Sequence, residues 1–229
     1  MAFSYNASAD VWNVLGNGHD VTFGPADRDT AAPSTSIRYV KPGPPTQRLT
    51  IGQPGVGTVG ADYQRIASFI QGSRVYHCVI GARTLPTDRP TGSTVAFTGS
   101  SLAGYLFATR LSDGARTQYS MRNSTGTFSV NLDRGEVTYT VRLIGSPFPL
   151  ESGPDVDFGT ITAVADIDPA TGGYYTTQVT VNGFTPFVSE MSGAFFGPQG
   201  KEAGLVMSIF GTRSDGVHVA LVVNGLALR

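Results

Sequence analysis

The sequence is short of charge, and the charge it carries is not gathered into a basic surface. Charged residues make up 14% of the 229 positions, against about 25% in an average soluble protein. Lysine occurs only at Lys41 and Lys201, and the formal net charge is −1. Because binding to a phosphate backbone needs clustered Lys and Arg side chains, this composition argues against a nucleic-acid-binding protein.

Cysteine and long hydrophobic segments are also scarce. Cys78 is the only cysteine, so no internal disulfide can form. No apolar run approaches the roughly 20 residues that a membrane-spanning helix needs. The first residues, MAFSYNASADVW, contain neither the basic nor the apolar region of a secretion signal. Two interpretations stay open: a cytosolic protein, or an exported protein in which Met1 replaces the lipidated Cys that begins the mature chain.

What the sequence has instead is short alternating segments separated by turns. From Arg74 onward polar and apolar residues alternate with period two, the pattern of β-strands. Turn sequences such as Ser112-Asp113-Gly114 and Asp133-Arg134-Gly135 separate several of these segments. The span from Thr91 to Arg229 suits about eight to ten strands in a sandwich or an up-and-down barrel. A closed barrel is favoured because it leaves no exposed strand edge.

The N-terminal part is less regular. Short strands are predicted over Ser36–Val40 and Arg48–Ile51, among loops rich in Gly, Pro and Asp. One short helix is predicted over 61–72, where Ile66, Phe69 and Ile70 follow the i, i+3, i+4 spacing and a glycine follows.

Two motifs that suggest catalysis lack the context it needs. Residues Gly55–Gly60 spell G-x-G-x-x-G, but no acidic residue follows about 20 positions later and no βαβ alternation is present. Ser100 and Ser101 lack the flanking glycines of a nucleophile elbow. The sequence therefore predicts that the chain is not an enzyme; the enzymatic alternative requires an acid–base pair in the mouth of a barrel.

Three histidines are candidates for contact with a ligand. His19 lies in the glycine-rich turn GNGHD, His77 in a strand beside Cys78, and His218 in the segment GVHVALVV. No pair has the spacing of metal ligands. His19 and His77 rank above His218 because loops of the less regular N-terminal part can present a side chain to a ligand. The adjacent Tyr174 and Tyr175 must place one ring outward, where it could contact a partner.

Three segments, in the right order, resemble the transferrin-binding protein B-like family of Gram-negative surface lipoproteins. They are VTFGPADRD (21–29), CVIGARTLPTDRPTGSTVAFTGSSLAG (78–104) and MSGAFFGPQGKEAGLVMSIFG (191–211). The second is similar to a barrel-entry pattern G-x-x-T…P-x-x-G-x-x-x-Y-x-G, with Phe97 in place of the usual tyrosine. The third is similar to a hairpin pattern G-x-F-[FY]-G-P-x-x-x-E, which Gly193, Phe196 and Glu202 match.

The resemblance implies an all-β fold. Residues 85–229 are expected to form an eight-stranded antiparallel up-and-down β-barrel, and residues 1–84 a small handle-like subdomain of short strands, loops and the one short helix. It also implies an exported protein, lipid-anchored in the outer membrane at the cell surface, that works beside a TonB-dependent receptor.

The length accommodates one handle and one barrel, which points away from transferrin and toward haem or another iron source as the ligand. No cofactor is required. If the ligand is haem, an imidazole or a phenolate would ligate the iron, and His19, His77 and Tyr76 are the predicted ligand-binding residues. The alternative is a protein-docking surface module with no small-molecule ligand. The matched motif residues themselves carry over no binding role.

Overall fold

The computed structural model describes residues 2–33, 36–56, 59–90, 92–149 and 153–229. Short 3-10 turns lie at Pro25–Asp27, Pro86–Asp88 and Pro198–Gly200. Within the described ranges, no helix has the length and apolar character to cross a membrane.

Nineteen strands lie in the described residues. The first nine are β1 (Ala2–Asn6), β2 (Val11–Gly16), β3 (His19–Phe23), β4 (Ser36–Lys41), β5 (Gln47–Gly52), β6 (Gly55–Val56), β7 (Val59–Gly60), β8 (Gln64–Gln71) and β9 (Arg74–Gly81). The rest are β10 (Thr94–Ala96), β11 (Gly99–Arg110), β12 (Arg116–Ser120), β13 (Thr125–Asn131), β14 (Glu136–Pro147), β15 (Val156–Ile167), β16 (Gly173–Asn182), β17 (Thr185–Phe196), β18 (Glu202–Thr212) and β19 (Val217–Leu228).

The chain forms two compact units. The first comprises Met1–Pro54 and Gln64–Gly81, and the second comprises Gly55–Tyr63 and Ala82–Arg229. The boundary expected between residues 84 and 85 stays a prediction.

The first unit contains two antiparallel sheets. One has the order β1-β2-β3 and the other β4-β5-β8-β9. Alternate residues of the strands supply a shared apolar core that includes Val14, Phe23, Leu49 and Phe69, all fully buried. Alternation with period two places one face of each sheet on this core.

The predicted helix over 61–72 is wrong, because β8 occupies most of this segment. Phe69 pairs with Leu49 of β5 on one side and with Tyr76 of β9 on the other. Ala67 and Phe69 are buried while Ser68 between them is half-buried, which is a strand pattern. Pairing on both edges satisfies the backbone, and this tertiary gain overrides a weak helical spacing of three apolar residues.

The second unit is dominated by a barrel. Eight strands close a ring in the order β14-β12-β11-β19-β18-β17-β16-β15, and β15 returns to pair with β14. The neighbouring strands of this ring are antiparallel. Strands β13 and β10 extend the sheet beyond β14. The predicted all-β class, with an eight-stranded antiparallel barrel and small N-terminal sheets, is confirmed.

Side chains fill the barrel. Inward positions carry large residues such as Leu106, Tyr139, Ile161 and Met207, each essentially inaccessible to solvent. Burial at about 25 cal/mol per Å² of apolar surface is the main force that closes such a barrel. The interior is therefore a packed core.

Two joints of the barrel wall have short ladders. The ladder between β12 and β14 covers only two pairs, Tyr119–Pro147 and Ser120–Ser146. The ladder between β16 and β17 covers only the pairs Gly173–Ala194, Tyr174–Gly193 and Tyr175–Ser192. At the next position the Thr176 hydroxyl donates to the Met191 carbonyl at 2.5 Å and accepts from the Met191 N–H. Beyond it, residues 177–182 of β16 do not pair with residues 185–190 of β17. Each strand still pairs along most of its length with its other neighbour, with one bulge in each ladder.

The two longer segments of the family resemblance meet in the second unit. The buried Thr84 donates its hydroxyl to the Gly197 carbonyl at 2.6 Å and its N–H to the Phe195 carbonyl at 2.9 Å. The buried Glu202 carboxylate accepts the Asp62 N–H at 2.6 Å and the Tyr63 N–H at 3.1 Å. These motif residues hold Asp62, Tyr63 and the entry of the chain into the barrel, which is a structural role.

Candidate functional site

Three chain reversals of the first unit line one open cavity of about 480 Å³. They are the β2–β3 turn, the loop between β4 and β5, and the β8–β9 turn. The lining residues are Asn17, Gly18, His19, Pro45, Gln71, Gly72, Ser73 and Arg74. The volume lies within the roughly 300–1,000 Å³ typical of small-molecule sites.

Two of the turns depend on left-handed backbone. Asn17 and Gly18 have φ of 53° and 77°, and Gly72 has φ of 58°. Glycine and asparagine adopt this region at low cost, so they suit two-residue hairpin turns. Short turns hold His19 at the first residue of β3 and Arg74 at the first residue of β9.

His19 and Tyr76, two of the three predicted site residues, come together here. The His19 Nε2 lies 3.2 Å from the Tyr76 hydroxyl, and the two rings meet edge to face with centroids 5.2 Å apart. Phe69 lies behind both, with its centroid 5.2 Å from that of His19 and 6.2 Å from that of Tyr76. The buried phenyl ring fixes the imidazole and the phenol from one side. Which of the two donates the proton depends on the imidazole tautomer.

His77, the third predicted site residue, does not line this cavity. It follows Tyr76 on β9, so the two side chains point to opposite faces of the sheet. Its Nδ1 lies 3.0 Å from the Ser68 hydroxyl, and burial lowers the pKa of the imidazole. Its contact with a ligand stays a prediction.

The chain resembles solved structures of transferrin-binding protein B (TbpB). Isotype 1 TbpB from serogroup B Neisseria meningitidis aligns with a TM-score of 0.51 and 13% identity, over 99% of this chain and 41% of that one. The fold is that of TbpB. Two TbpB variants from Haemophilus parasuis Hp5 align at 14% identity with TM-scores of 0.49 and 0.48, over 96% of this chain and 41% of theirs. No protein-family profile matches the sequence, and no curated protein matches it.

The alignment with the Neisseria meningitidis structure confirms the resemblance at the level of the fold. The chain spans 41% of the length of these TbpB chains.

Sequence reasoning missed Gln71 and Arg74 as lining residues. They flank a two-residue turn and pair directly across it, so their side chains share one face of the hairpin. Because a helix was predicted over 61–72, the hairpin of β8 and β9 was not recognised. The alternation of RVYHCVIGA was the available signal, because extending it back across Gly72-Ser73 would have placed a second strand beside β9.

The other candidates are held by their own contacts. The His218 Nδ1 lies 3.0 Å from the Thr212 hydroxyl on the barrel. Tyr174 is buried and donates to the Gly204 carbonyl at 2.9 Å, whereas Tyr175 is 62% exposed, so one ring does point outward as expected. Across the ranges that the structure describes, no three His, Cys, Asp or Glu side chains are grouped to hold a metal ion.

Proposed function

We propose that this chain is a non-catalytic binding protein that captures haem, or an iron-carrying protein, at the surface of a Gram-negative cell. The His19 cavity is the proposed haem site, and Tyr76 and His77 are the other proposed ligand-binding residues. The observation that carries the proposal is the imidazole and phenol 3.2 Å apart beside an open cavity. Both groups are established axial ligands of haem iron.

The chemistry around the pair supports a porphyrin ligand. The buried Phe69 packs behind the His19 ring and fixes it, and glycines at two turns leave room for a flat molecule. A mostly apolar cavity with a few placed polar groups is the usual design of a small-molecule site. In this arrangement one imidazole nitrogen binds iron while Tyr76 orients the ring.

A haemin titration tests this site. We expect the wild-type protein to shift the Soret band of haemin at a 1:1 ratio, and His19→Ala to abolish the shift. Tyr76→Phe should retain binding with a changed spectrum, because the hydroxyl contact to His19 is lost. His218→Ala is the matched control and should bind as the wild type does, and His77→Ala decides whether His77 takes part. A wild-type protein that leaves the haemin spectrum unchanged refutes the haem site.

The cellular setting is part of the same proposal. TbpB is named for binding transferrin, and its fold in this chain supports an exported, lipid-anchored protein that hands its cargo to a TonB-dependent outer-membrane receptor. We expect the protein expressed with its native upstream sequence to incorporate labelled palmitate and to be accessible to antibody on intact cells. Retention in the cytosol would contradict this localisation.

A second candidate function, docking of a protein without a small ligand, is favoured by the outer wall of the barrel. Four outward-facing apolar residues pair in one row across β11, β19, β18 and β17, and we call them the apolar row: Phe107, Ala220, Phe210 and Val188. Val188 is 43% exposed and the adjacent Phe187 is 65% exposed. Exposed aromatic and aliphatic side chains that cluster on a monomer are typical of protein-binding sites.

Direct binding to immobilised transferrin and haemoglobin separates the two candidates. If the apolar row docks an iron-carrying protein, Val188→Asp should weaken that binding at least tenfold while leaving the haemin spectrum unchanged. Leu111→Asp, at an exposed turn outside the row, is the matched control. Equal binding of both variants and the wild type would rule out the row as the docking surface.

A further inference from the structure

The charged side chains that line the cavity beside His19 are of one sign, positive. Among its eight lining residues there is one permanent cation, Arg74, and no carboxylate. Arg74 is exposed and forms no ion pair with any residue that the structure describes. An unpaired guanidinium at the wall of a cavity attracts anions and presents two parallel N–H donors to a carboxylate.

Gln71 also lines this cavity, and its side-chain amide is not fully hydrogen-bonded among the residues that the structure describes. Its side-chain oxygen is shielded from solvent and has no hydrogen-bond partner in the described residues. A buried amide group without a partner costs free energy, which a ligand can recover by bonding to it. Because the oxygen and nitrogen of an amide are assigned from the hydrogen-bond network, turning the amide over would offer N–H donors instead.

The strand register puts these groups on the same face as Tyr76, the residue that contacts the proposed iron ligand His19. Gln71 pairs with Arg74, and the next pair on that face is Phe69 with Tyr76. Residues two apart on a strand point the same way and are separated by about 7 Å. The face therefore carries the Tyr76 phenol, which His19 of β3 contacts, at one level and the Arg74 guanidinium and Gln71 amide at the next.

We infer that Arg74, assisted by Gln71, binds a carboxylate of the ligand and makes this cavity selective for porphyrins that carry free acid groups. This inference rests on the proposed function, since it names what the same site recognises beyond the iron. Arg74 is a specificity-determining residue in this scheme, whereas His19 binds the metal and Tyr76 orients the His19 ring.

The test uses iron-free porphyrins, so that metal ligation does not enter. The full-length protein is titrated with protoporphyrin IX and with its dimethyl ester, and binding is followed by porphyrin fluorescence. We expect wild type to prefer the free acid about two- to fivefold, the range of an exposed ion pair. Arg74→Gln should remove this preference, with the affinity for the ester unchanged. Arg48→Gln is the matched control, since Arg48 is exposed in the same unit and does not line the cavity.

The outcomes separate the two proposals. If wild type binds both porphyrins equally, or if Arg74→Gln weakens both by the same factor, the carboxylate contact is refuted while the haem site stands. If neither haemin nor either porphyrin binds, the proposed function itself fails. If the preference for the acid persists in His19→Ala and disappears in Arg74→Gln, the inference is supported independently of iron ligation.

Discussion

Replacement of Gly193 by alanine tests the packing of the barrel wall most directly. A Cβ at Gly193 would lie 2.3 Å from the Gly204 carbonyl oxygen and 2.4 Å from the Tyr174 ring, well inside any normal contact. Tyr174 lies opposite Gly193 in the ladder, is fully buried, and donates its hydroxyl to that same carbonyl. Neither neighbour is the free end of a flexible side chain, so the backbone of β18 or the tyrosine must move.

The expected cost follows from these contacts. Overpacking of a well-packed core costs about 1–3 kcal/mol, and loss of the Tyr174 hydrogen bond adds about 1 kcal/mol. Alanine lowers the conformational entropy of the unfolded chain relative to glycine, and this offsets the destabilisation by about 0.4–1 kcal/mol. We therefore expect Gly193→Ala to lower the free energy of unfolding of the barrel by about 2–3 kcal/mol.

Denaturant unfolding of the full chain, followed by two signals, measures this. Far-UV circular dichroism is dominated by the barrel, and fluorescence of Trp12, the only tryptophan, reports on the first unit. Gly193→Ala should move the dichroism midpoint to lower denaturant. Gly52→Ala is the matched control, because its Cβ would meet nothing within 4 Å. An unchanged dichroism midpoint in Gly193→Ala would refute the reasoning from close contact.

Three further predictions follow from buried or paired groups. Tyr139→Phe should raise the free energy of unfolding by about 1 kcal/mol in urea titrations, because the Tyr139 hydroxyl is buried without a partner in the described residues; a loss of stability would contradict this. Glu202→Gln should lower it by about 2 kcal/mol, since one amide oxygen replaces a carboxylate that accepts two backbone N–H groups; the exposed change Asp133→Asn is its control. Burial holds the folded-state pKa of His77 below 6.5, so the unfolded chain binds more protons as the pH falls below about 6.5 and stability declines there. The free energy of unfolding should reach its plateau above that pH, and His77→Gln should flatten the decline below it.

The barrel was predictable from local sequence because its signals agree with one another. Period-two alternation from Arg74 onward and the turns at Ser112–Gly114 and Asp133–Gly135 mark strands and reversals that the structure contains. Each strand needs only an apolar inner face and a turn at its end, and both features are visible in one sequence. The resemblance to TbpB-like proteins then supplied the number of strands in the ring.

The candidate site was only partly predictable, because pairing between distant segments creates it. His19 and Tyr76 are 57 positions apart, and their contact depends on how the two sheets of the first unit pack. The helical spacing of Ile66 and Phe69 concealed β8, and with it the turn that carries Arg74 to the cavity. A pattern within one segment cannot reveal which edge partner that segment will find.

The short ladders between β16 and β17 and between β12 and β14 make this barrel uneven in stability. Elements held by few hydrogen bonds open at lower free energy than their surroundings, so we expect these two joints to open before the rest of the ring. Separation of β16 from β17 would expose Val179 and Val181 to water. The side chains of both residues pack against the barrel core from β16. We therefore expect proteolysis and amide hydrogen exchange of the barrel to begin where its ladders are short.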